Sequence, residues 1–169
     1  VTAGLILVGA ILIFIFEYAN PLTIGDMSLF DKIQVSIFQS ITTRTAGFAS
    51  VPQEDLTNAS AAVSIILMLI GGSPVGTAGG MKTVTIAVLV CSAFATIRNQ
   101  NGATLFGRRI SEESIKKAVA VVVMFLTICA TSTVLLMANS NASALDAVYE
   151  AVSATATVGL SRNLTATLN

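Results

Sequence analysis

The sequence is poor in charge and contains neither histidine nor tryptophan. Only 11% of its 169 residues are charged, and 54% are hydrophobic. A soluble domain carries roughly 25% charged residues, so the missing charge requires a solvent other than water, and a lipid bilayer is the simplest one. The formal net charge is zero, which gives no support for a nucleic-acid partner.

Cysteine is also scarce, and the two cysteines lie in separate apolar runs. At such positions Cys91 and Cys129 are small core residues rather than metal ligands or redox groups. Because histidine is absent as well, the sequence predicts no zinc site and no organic cofactor. The first residues include no initiator methionine and no basic segment typical of a signal peptide, so we interpret the sequence as the interior of a longer chain.

The hydrophobic residues form one run long enough to cross a membrane and three shorter runs. Residues 118–138 are 21 nearly uninterrupted apolar residues, enough for the ~30 Å hydrocarbon core at ~1.5 Å per residue. Residues 1–16 are predicted to form a membrane helix with an aromatic residue and a charge at its exit. Residues 59–70 and 83–97 are each too short to span the core alone, so together they predict one interrupted crossing.

The distribution of charge predicts the orientation of these segments. Residues 98–117 contain five of the nine basic residues, whereas residues 17–58 contain five acids against Lys32 and Arg44. The positive-inside rule then places residues 98–117 in the cytoplasm and residues 17–58 outside. The first helix therefore runs outward, the interrupted crossing runs inward, and the long apolar run crosses outward again.

A Thr-x-Gly motif follows each of two short amphipathic segments, residues 29–43 and 142–155, which the orientation places on the same outer side. Backbone carbonyls in an extended loop can replace the water around a cation, and glycine permits the dihedral angles that this requires. The sequence Thr-Val-Gly also begins the known potassium filter, and a preceding short helix would direct its partly negative end toward the cation. The repeated order of elements therefore predicts half of a potassium-selective filter. The first signature is Thr45-Ala46-Gly47, and the second signature is Thr157-Val158-Gly159.

Arg44 immediately precedes the first signature and places a cation beside a proposed cation path. An arginine at mid-membrane costs about 2.5–3.5 kcal/mol on insertion scales, so it requires a partner. We expect its side chain to point away from the pore, into the protein behind the filter, and to pair with an acid such as Glu150 or Asp146.

A glycine-rich stretch, residues 71–82, separates the two short apolar runs. It resembles a Walker A loop, but Met81 stands where glycine is required, and no β-strand is predicted before it. Two other interpretations are open. The stretch could be a loop at a membrane surface, or, as we prefer, the break of a discontinuous helix whose backbone lines a cavity. A position below the filter makes the stretch a candidate gate, and Lys82 either closes the pathway electrostatically or reaches the cytoplasmic surface. The candidate gate residues are Gly71, Gly72, Ser73, Gly76, Thr77, Gly79, Gly80 and Lys82.

Four stretches together resemble the Trk/Ktr/HKT family of potassium uptake proteins, in particular its membrane subunits of the TrkH/KtrB type. They are residues 38–48, 71–82, 106–109 and 157–161. The resemblance implies an all-α membrane protein built of tandem helix–pore loop–helix repeats, four of them in the whole protein. Residues 1–98 would be the third repeat with its broken inner helix, residues 99–117 a cytoplasmic linker, and residues 118–169 the fourth repeat up to its filter.

The resemblance also implies a function. The protein would take up potassium across the plasma membrane, with Gly47 and Gly159 helping to set the selectivity for the ion and residues 71–82 forming a gate beneath the filter. It would form a homodimer and bind a cytoplasmic, nucleotide-binding regulatory subunit of the TrkA/KtrA type, and it would not be an enzyme. Two alternatives stay open from the residues alone: a secondary cation transporter with a discontinuous helix, and an ATP-hydrolysing membrane protein that uses the near-Walker loop.

Overall fold

The structure, a computed structural model, describes residues 2–72, 79–98, 104–105 and 108–164. Within these ranges the chain forms six α-helices and one antiparallel pair of two-residue strands, which lies in the predicted cytoplasmic linker. The described part of the chain is therefore helical apart from this short pair. The elements are α1 (Thr2–Glu17), α2 (Leu29–Thr42), α3 (Asn58–Leu69), α4 (Thr83–Ile97), β1 (Thr104–Leu105), β2 (Arg108–Arg109), α5 (Glu112–Asn139) and α6 (Ala144–Thr155).

Four of these helices begin at a serine or threonine whose side chain accepts a hydrogen bond from the backbone N–H three residues later. This cap satisfies one of the N–H groups that the first turn of a helix leaves without a partner. The caps explain why α2 and α6 begin where they do and why α5 begins six residues before its apolar run. The capping residues are Ser28, Thr57, Ser111 and Ser143.

The long helix α5 is the one described helix with the length and composition to cross a membrane. Its 28 residues extend about 42 Å at ~1.5 Å per residue. Large apolar side chains such as Met124 and Leu135 are mostly exposed on it, as expected for a helix that meets lipid or further helices. The helices α1, α3 and α4 are apolar but shorter.

The core of the described chain lies between α3, α5 and α6. Helix α1 packs on α2 and α3, α3 packs on α6, and α5 packs on both α4 and α6. The largest buried cluster joins Met68, Cys129 and Tyr149 to Val158 and Leu160. Since the last two residues belong to the second signature and its continuation, this core directly supports that signature.

A buried carboxylate joins the end of α1 to the start of α3. Glu17 is 1% exposed and accepts hydrogen bonds from Asn20 Nδ2 at 2.7 Å, Thr23 Oγ1 at 2.6 Å, and the backbone and hydroxyl of Thr57 at 2.9 and 2.7 Å. Neutral donors in this number offset the loss of hydration of the buried charge. Glu17 thus joins the C-terminal end of α1 to the N-terminal end of α3.

Replacing Glu17 with leucine is expected to destabilise the protein by about 3 kcal/mol or more, because several buried donors lose their acceptor at ~1–3 kcal/mol each. The measurement is the midpoint of thermal unfolding in detergent micelles, which should fall by several degrees. Glu113→Leu is the matched control, since that carboxylate pairs with Lys117 on an exposed surface. Equal midpoints for the two variants would contradict a structural role for Glu17.

Candidate ion-conduction site

The threonine and the glycine of both signatures have positive φ angles. In the first, Thr45 has a φ of 69° and Gly47 a φ of 76°; in the second, Thr157 has a φ of 55° and Gly159 a φ of 90°. Threonine rarely occupies this left-handed region because its branched side chain is crowded there. Strained conformations of this kind persist only where the surroundings enforce them, and they cluster at functional sites. The repetition predicted from the motif spacing is therefore also a repetition of geometry.

The N–H groups within each signature point back to the end of the preceding helix. Ala46 N and Gly47 N donate to the Thr42 carbonyl at 3.1 and 3.2 Å, and Val158 N donates to the Ser153 carbonyl at 2.9 Å. In a planar trans peptide the carbonyl points opposite to the N–H group. The carbonyl oxygens that precede these N–H groups, including that of Thr45, are therefore directed away from the ends of α2 and α6.

The two signatures lie side by side. A Cβ atom built on Gly47 would overlap the Val158 carbonyl oxygen and lie 3.8 Å from the Cα of Gly159. Only a glycine at position 47 allows this approach. A Cβ built on Gly159 meets no described atom within 4 Å, so the contact between the signatures excludes a side chain at Gly47 and not at Gly159.

The chain that follows each signature is fastened to its own short helix, but by different groups. After the first signature, Phe48 N donates to Thr42 Oγ1 at 2.8 Å, and that hydroxyl donates to the Phe48 carbonyl at 2.6 Å. After the second, Ser161 Oγ and Arg162 N both donate to the Glu150 carboxylate. The two halves of the site are related in backbone shape and differ in the side chains that hold it.

Within the part of the chain that the structure describes, Arg44 forms no ion pair with an acid, so the prediction of a Glu150 or Asp146 partner was wrong. Its Nη2 donates to the Gly71 carbonyl at 2.9 Å, and its Nη1 is buried without a hydrogen-bond partner among the described residues. The reason lies in the direction of the helices: Arg44 follows the last turn of α2, whereas Asp146 lies in the first turn of α6. The guanidinium thus extends toward the start of the glycine-rich stretch.

The acids named as its partners interact with Arg162 instead. Arg162 Nε donates to Asp146 Oδ1 at 2.7 Å in an ion pair, while its backbone N–H reaches Glu150. Partial burial acts to raise the pKa of Asp146, but hydrogen bonds from Ser143 and Arg162 and the charge of Arg162 outweigh it and hold that pKa below its ordinary value. The sequence offered one signal for this ion pair, a basic residue three positions after the second signature.

The ends of the glycine-rich stretch meet at the second signature. Ile70 and Met81 form a parallel bridge, and Met81 N donates to the Leu69 carbonyl at 3.2 Å. The residues before and after the glycine-rich stretch are therefore in contact. Near the C-terminal end of the stretch, a Cβ built on Gly79 would overlap Thr157 Oγ1 and lie 2.5 Å from the Ala156 carbonyl oxygen. Since helix α3, not a strand, precedes the stretch, the arrangement required of a phosphate-binding loop is missing from the described residues.

The remaining candidate gate residues divide into two groups. Gly71 and Gly72 are buried, Gly80 has a φ of 73°, and Lys82 is exposed at the residue before α4. The other candidates, Ser73, Gly76 and Thr77, lie outside the described residues.

The described helices, one of them long and apolar enough to cross a membrane, are those of an all-α membrane protein, and comparison with known proteins identifies its family. The family model of TrkH, described as a cation transport protein, matches residues 3–168. The chain therefore belongs to the TrkH family, which confirms the resemblance found in the sequence. Its relatives are named as transport proteins, so the expectation that it is not an enzyme is also confirmed.

Three relatives show how much of a whole protein the chain represents. It is 36% identical over 168 residues to the Ktr system potassium uptake protein B of Vibrio alginolyticus, covering 99% of this chain and 37% of the relative. It is 37% identical over 153 residues to the Bacillus subtilis protein of the same name, covering 90% and 34%. It is 30% identical over 166 residues to the potassium/sodium uptake protein NtpJ of Enterococcus hirae, covering 96% and 37%. The chain thus spans little more than a third of the length of these relatives.

Proposed function

We propose that the complete protein carries potassium ions across the plasma membrane through a pore whose filter includes both signatures. The observation that carries this proposal is the matched pair of signatures, each with left-handed Thr and Gly residues, lying against each other at Gly47 and Val158. The names of the relatives agree with potassium as the ion. The proposed filter residues in this chain are Thr45, Ala46, Gly47, Thr157, Val158 and Gly159.

The chemistry of the proposed filter follows from the direction of the peptide groups. A potassium ion that enters a narrow pore must exchange its water ligands for other oxygens, and a set of backbone carbonyls supplies them. The N–H groups of the signatures are bonded to the helix ends, which turns the preceding carbonyls the other way. The helices α2 and α6 also end beside the signatures, and the partly negative end of each helix dipole stabilises a nearby cation.

We propose further that residues 71–82 form a gate on the inner side of the filter. Support comes from the contact of Gly79 with Thr157 and from the bond between Arg44 and Gly71, since each links one end of the stretch to one signature. Irregular backbone at this depth is tolerated where it lines a cavity or is covered by protein. Lys82 is exposed and reaches the surface of the described chain, which fits a position at the cytoplasmic mouth.

The proposed architecture assigns residues 1–98 to a third repeat, 99–117 to a cytoplasmic linker and 118–169 to a fourth repeat. The basic residues of the linker support its place in the cytoplasm. We propose that the complete protein forms a homodimer and associates with a nucleotide-binding regulatory subunit of the TrkA/KtrA type on that side. Two relatives are named as proteins of a Ktr system, which is consistent with further components.

One feature favours a second candidate function, a secondary cation transporter. The crossing formed by α3 and α4 is interrupted near its middle, and discontinuous helices also form the binding sites of such transporters. A planar-bilayer recording of the complete protein separates the two candidates. A pore gives unitary, diffusive cation currents, whereas alternating access does not.

The proposed function is tested by reconstituting the complete protein in two sets of liposomes, one loaded with potassium and one with sodium. We expect potassium efflux that exceeds sodium efflux by at least tenfold, because the carbonyl arrangement replaces the hydration shell of potassium better than that of sodium. Liposomes without protein are the control, and efflux is followed with a membrane-potential dye. Absence of potassium flux above this control would refute the proposal.

A further inference from the structure

A buried polar network connects the two short helices behind the signatures. Gln39 in α2 and Tyr149 in α6 are each 0% exposed, and Gln53 between the two helices is 3% exposed. The Gln53 Oε1 atom accepts hydrogen bonds from Gln39 Nε2 at 2.6 Å and from Tyr149 Oη at 3.0 Å. A single amide oxygen is therefore bonded to both helices.

The orientation of the Gln53 amide is fixed by its other atom. Gln53 Nε2 donates to the Val51 carbonyl at 2.8 Å and to Gln39 Oε1 at 3.3 Å. With two bonds to its oxygen and two from its nitrogen, the amide uses its full hydrogen-bonding capacity. A rotated Gln53 amide would turn its oxygen toward the Val51 carbonyl oxygen, which can only accept, so the observed orientation is the favourable one.

Arg162 binds the backbone of the segment that contains Gln53. Its Nη1 donates to the carbonyls of Gln53 at 2.9 Å and Leu56 at 3.3 Å, and its Nη2 donates to that of Glu54 at 3.2 Å. The guanidinium carbon also lies 5.9 Å from the centre of the Tyr149 ring, within the range of a cation–π interaction. The Arg162 side chain is 8% exposed, so protein covers most of its surface.

The order of these residues in the chain links the network to both signatures. The first signature lies between Gln39 and Gln53, and the second lies between Tyr149 and Arg162. Each signature is thus a loop with both ends bound into one network, which we call the inter-helix network (Gln39, Gln53, Tyr149 and Arg162). The distance between the two signatures therefore depends on these hydrogen bonds.

We propose that Gln53, Tyr149 and Arg162 are positioning residues for ion selectivity, which they set by fixing the spacing of the two signatures. This inference rests on the proposed function. Discrimination between potassium and sodium depends on the number and arrangement of the carbonyls around the ion. Loss of a bond in the network lets the signatures move apart or together, and that widens the range of cations that the carbonyls can surround.

The test is the ratio of potassium to sodium flux through the complete protein in liposomes. Tyr149→Phe removes one hydroxyl and keeps the ring, and we expect it to lower the ratio about threefold while the potassium flux stays within twofold of the wild type. Gln53→Leu removes the shared acceptor, and we expect it to lower the ratio of potassium to sodium flux at least tenfold. Ser36→Ala is the matched control, since the similarly buried Ser36 hydroxyl in α2 donates to the Lys32 carbonyl of its own helix and has no bond to the inter-helix network among the described residues.

The flux ratio separates positioning from a general structural role. A variant that lowers potassium and sodium flux equally, with the ratio unchanged in correctly inserted protein, would overturn the inference. So would a Ser36→Ala variant that shifts the ratio as far as Tyr149→Phe does. If Gln53→Leu inserts poorly, the flux ratio of Tyr149→Phe alone tests the inference. If Gly47→Ser alters selectivity and Tyr149→Phe does not, this inference fails while the proposed filter stands; if wild-type protein carries no potassium, the proposed function itself fails.

Discussion

Replacing Gly47 with serine in the complete protein is expected to lower the preference for potassium over sodium at least tenfold. The serine Cβ would overlap the Val158 carbonyl oxygen, so one of the two signatures must shift. The left-handed φ of 76° adds strain of about 1–2 kcal/mol for a residue with a side chain. Since ~1.4 kcal/mol corresponds to a factor of ten, strain of this size is enough to change discrimination between the ions.

Two other glycines provide the controls for this variant. Gly4→Ser lies in α1 with no described atom within 4 Å, and we expect selectivity and flux to equal those of the wild type. Gly159→Ser also places a side chain at a positive φ, here 90°, but no described atom lies within 4 Å of its Cβ, so we expect a smaller loss of selectivity than in Gly47→Ser. Wild-type selectivity in Gly47→Ser, measured as the ratio of potassium to sodium flux, would remove the first signature from the filter.

The helices of this chain were predictable because their apolar runs and caps are local features. The predicted run 83–97 coincides with α4, and α2 ends one residue before the predicted boundary. The long helix α5 begins earlier than the apolar run 118–138 because Ser111 caps it and two acids lie in its first turn, where the helix dipole favours them. A hydropathy pattern records where a helix is apolar and not where its hydrogen bonding begins.

The site was predictable only in part. The two Thr-x-Gly motifs and their register are visible in the sequence, and the structure adds that their backbones are alike and in contact. The inter-helix network was missed because Gln53 lies in a polar stretch that resembles a solvated loop. Its burial depends on Tyr149, 96 residues further along the chain, and no local pattern reveals such a contact.

The incorrect partner for Arg44 has the same cause. Charge complementarity in the sequence offered Asp146 and Glu150, but both acids are bonded to the later Arg162. A backbone carbonyl, that of Gly71, accepts a hydrogen bond from Arg44 Nη2 instead. Such an acceptor exists at every residue of a chain, so the sequence gives no means of selecting one.

Replacing Arg44 with methionine is expected to raise the basal potassium flux several-fold. The bond from Arg44 Nη2 to the Gly71 carbonyl holds the start of the glycine-rich stretch against the first signature, and methionine fills similar space without a donor. The buried carbonyl then loses its partner at a cost of ~1–3 kcal/mol, which favours states in which the proposed gate has moved. The measurement is potassium efflux from liposomes that contain the complete protein without any regulatory subunit.

Arg44→Lys distinguishes loss of the bond from loss of the charge. Removing a positive charge near the pore also raises the local concentration of cations, and this alone would increase flux. Lysine keeps the charge but lacks the planar, forked donor group of arginine, so it does not reproduce the same geometry at Gly71. If release of the stretch opens the pathway, the flux of Arg44→Lys rises toward that of Arg44→Met. If Arg44→Lys behaves as the wild type, the charge alone accounts for the effect, and a fall in flux for both variants would refute the link between Arg44 and the gate.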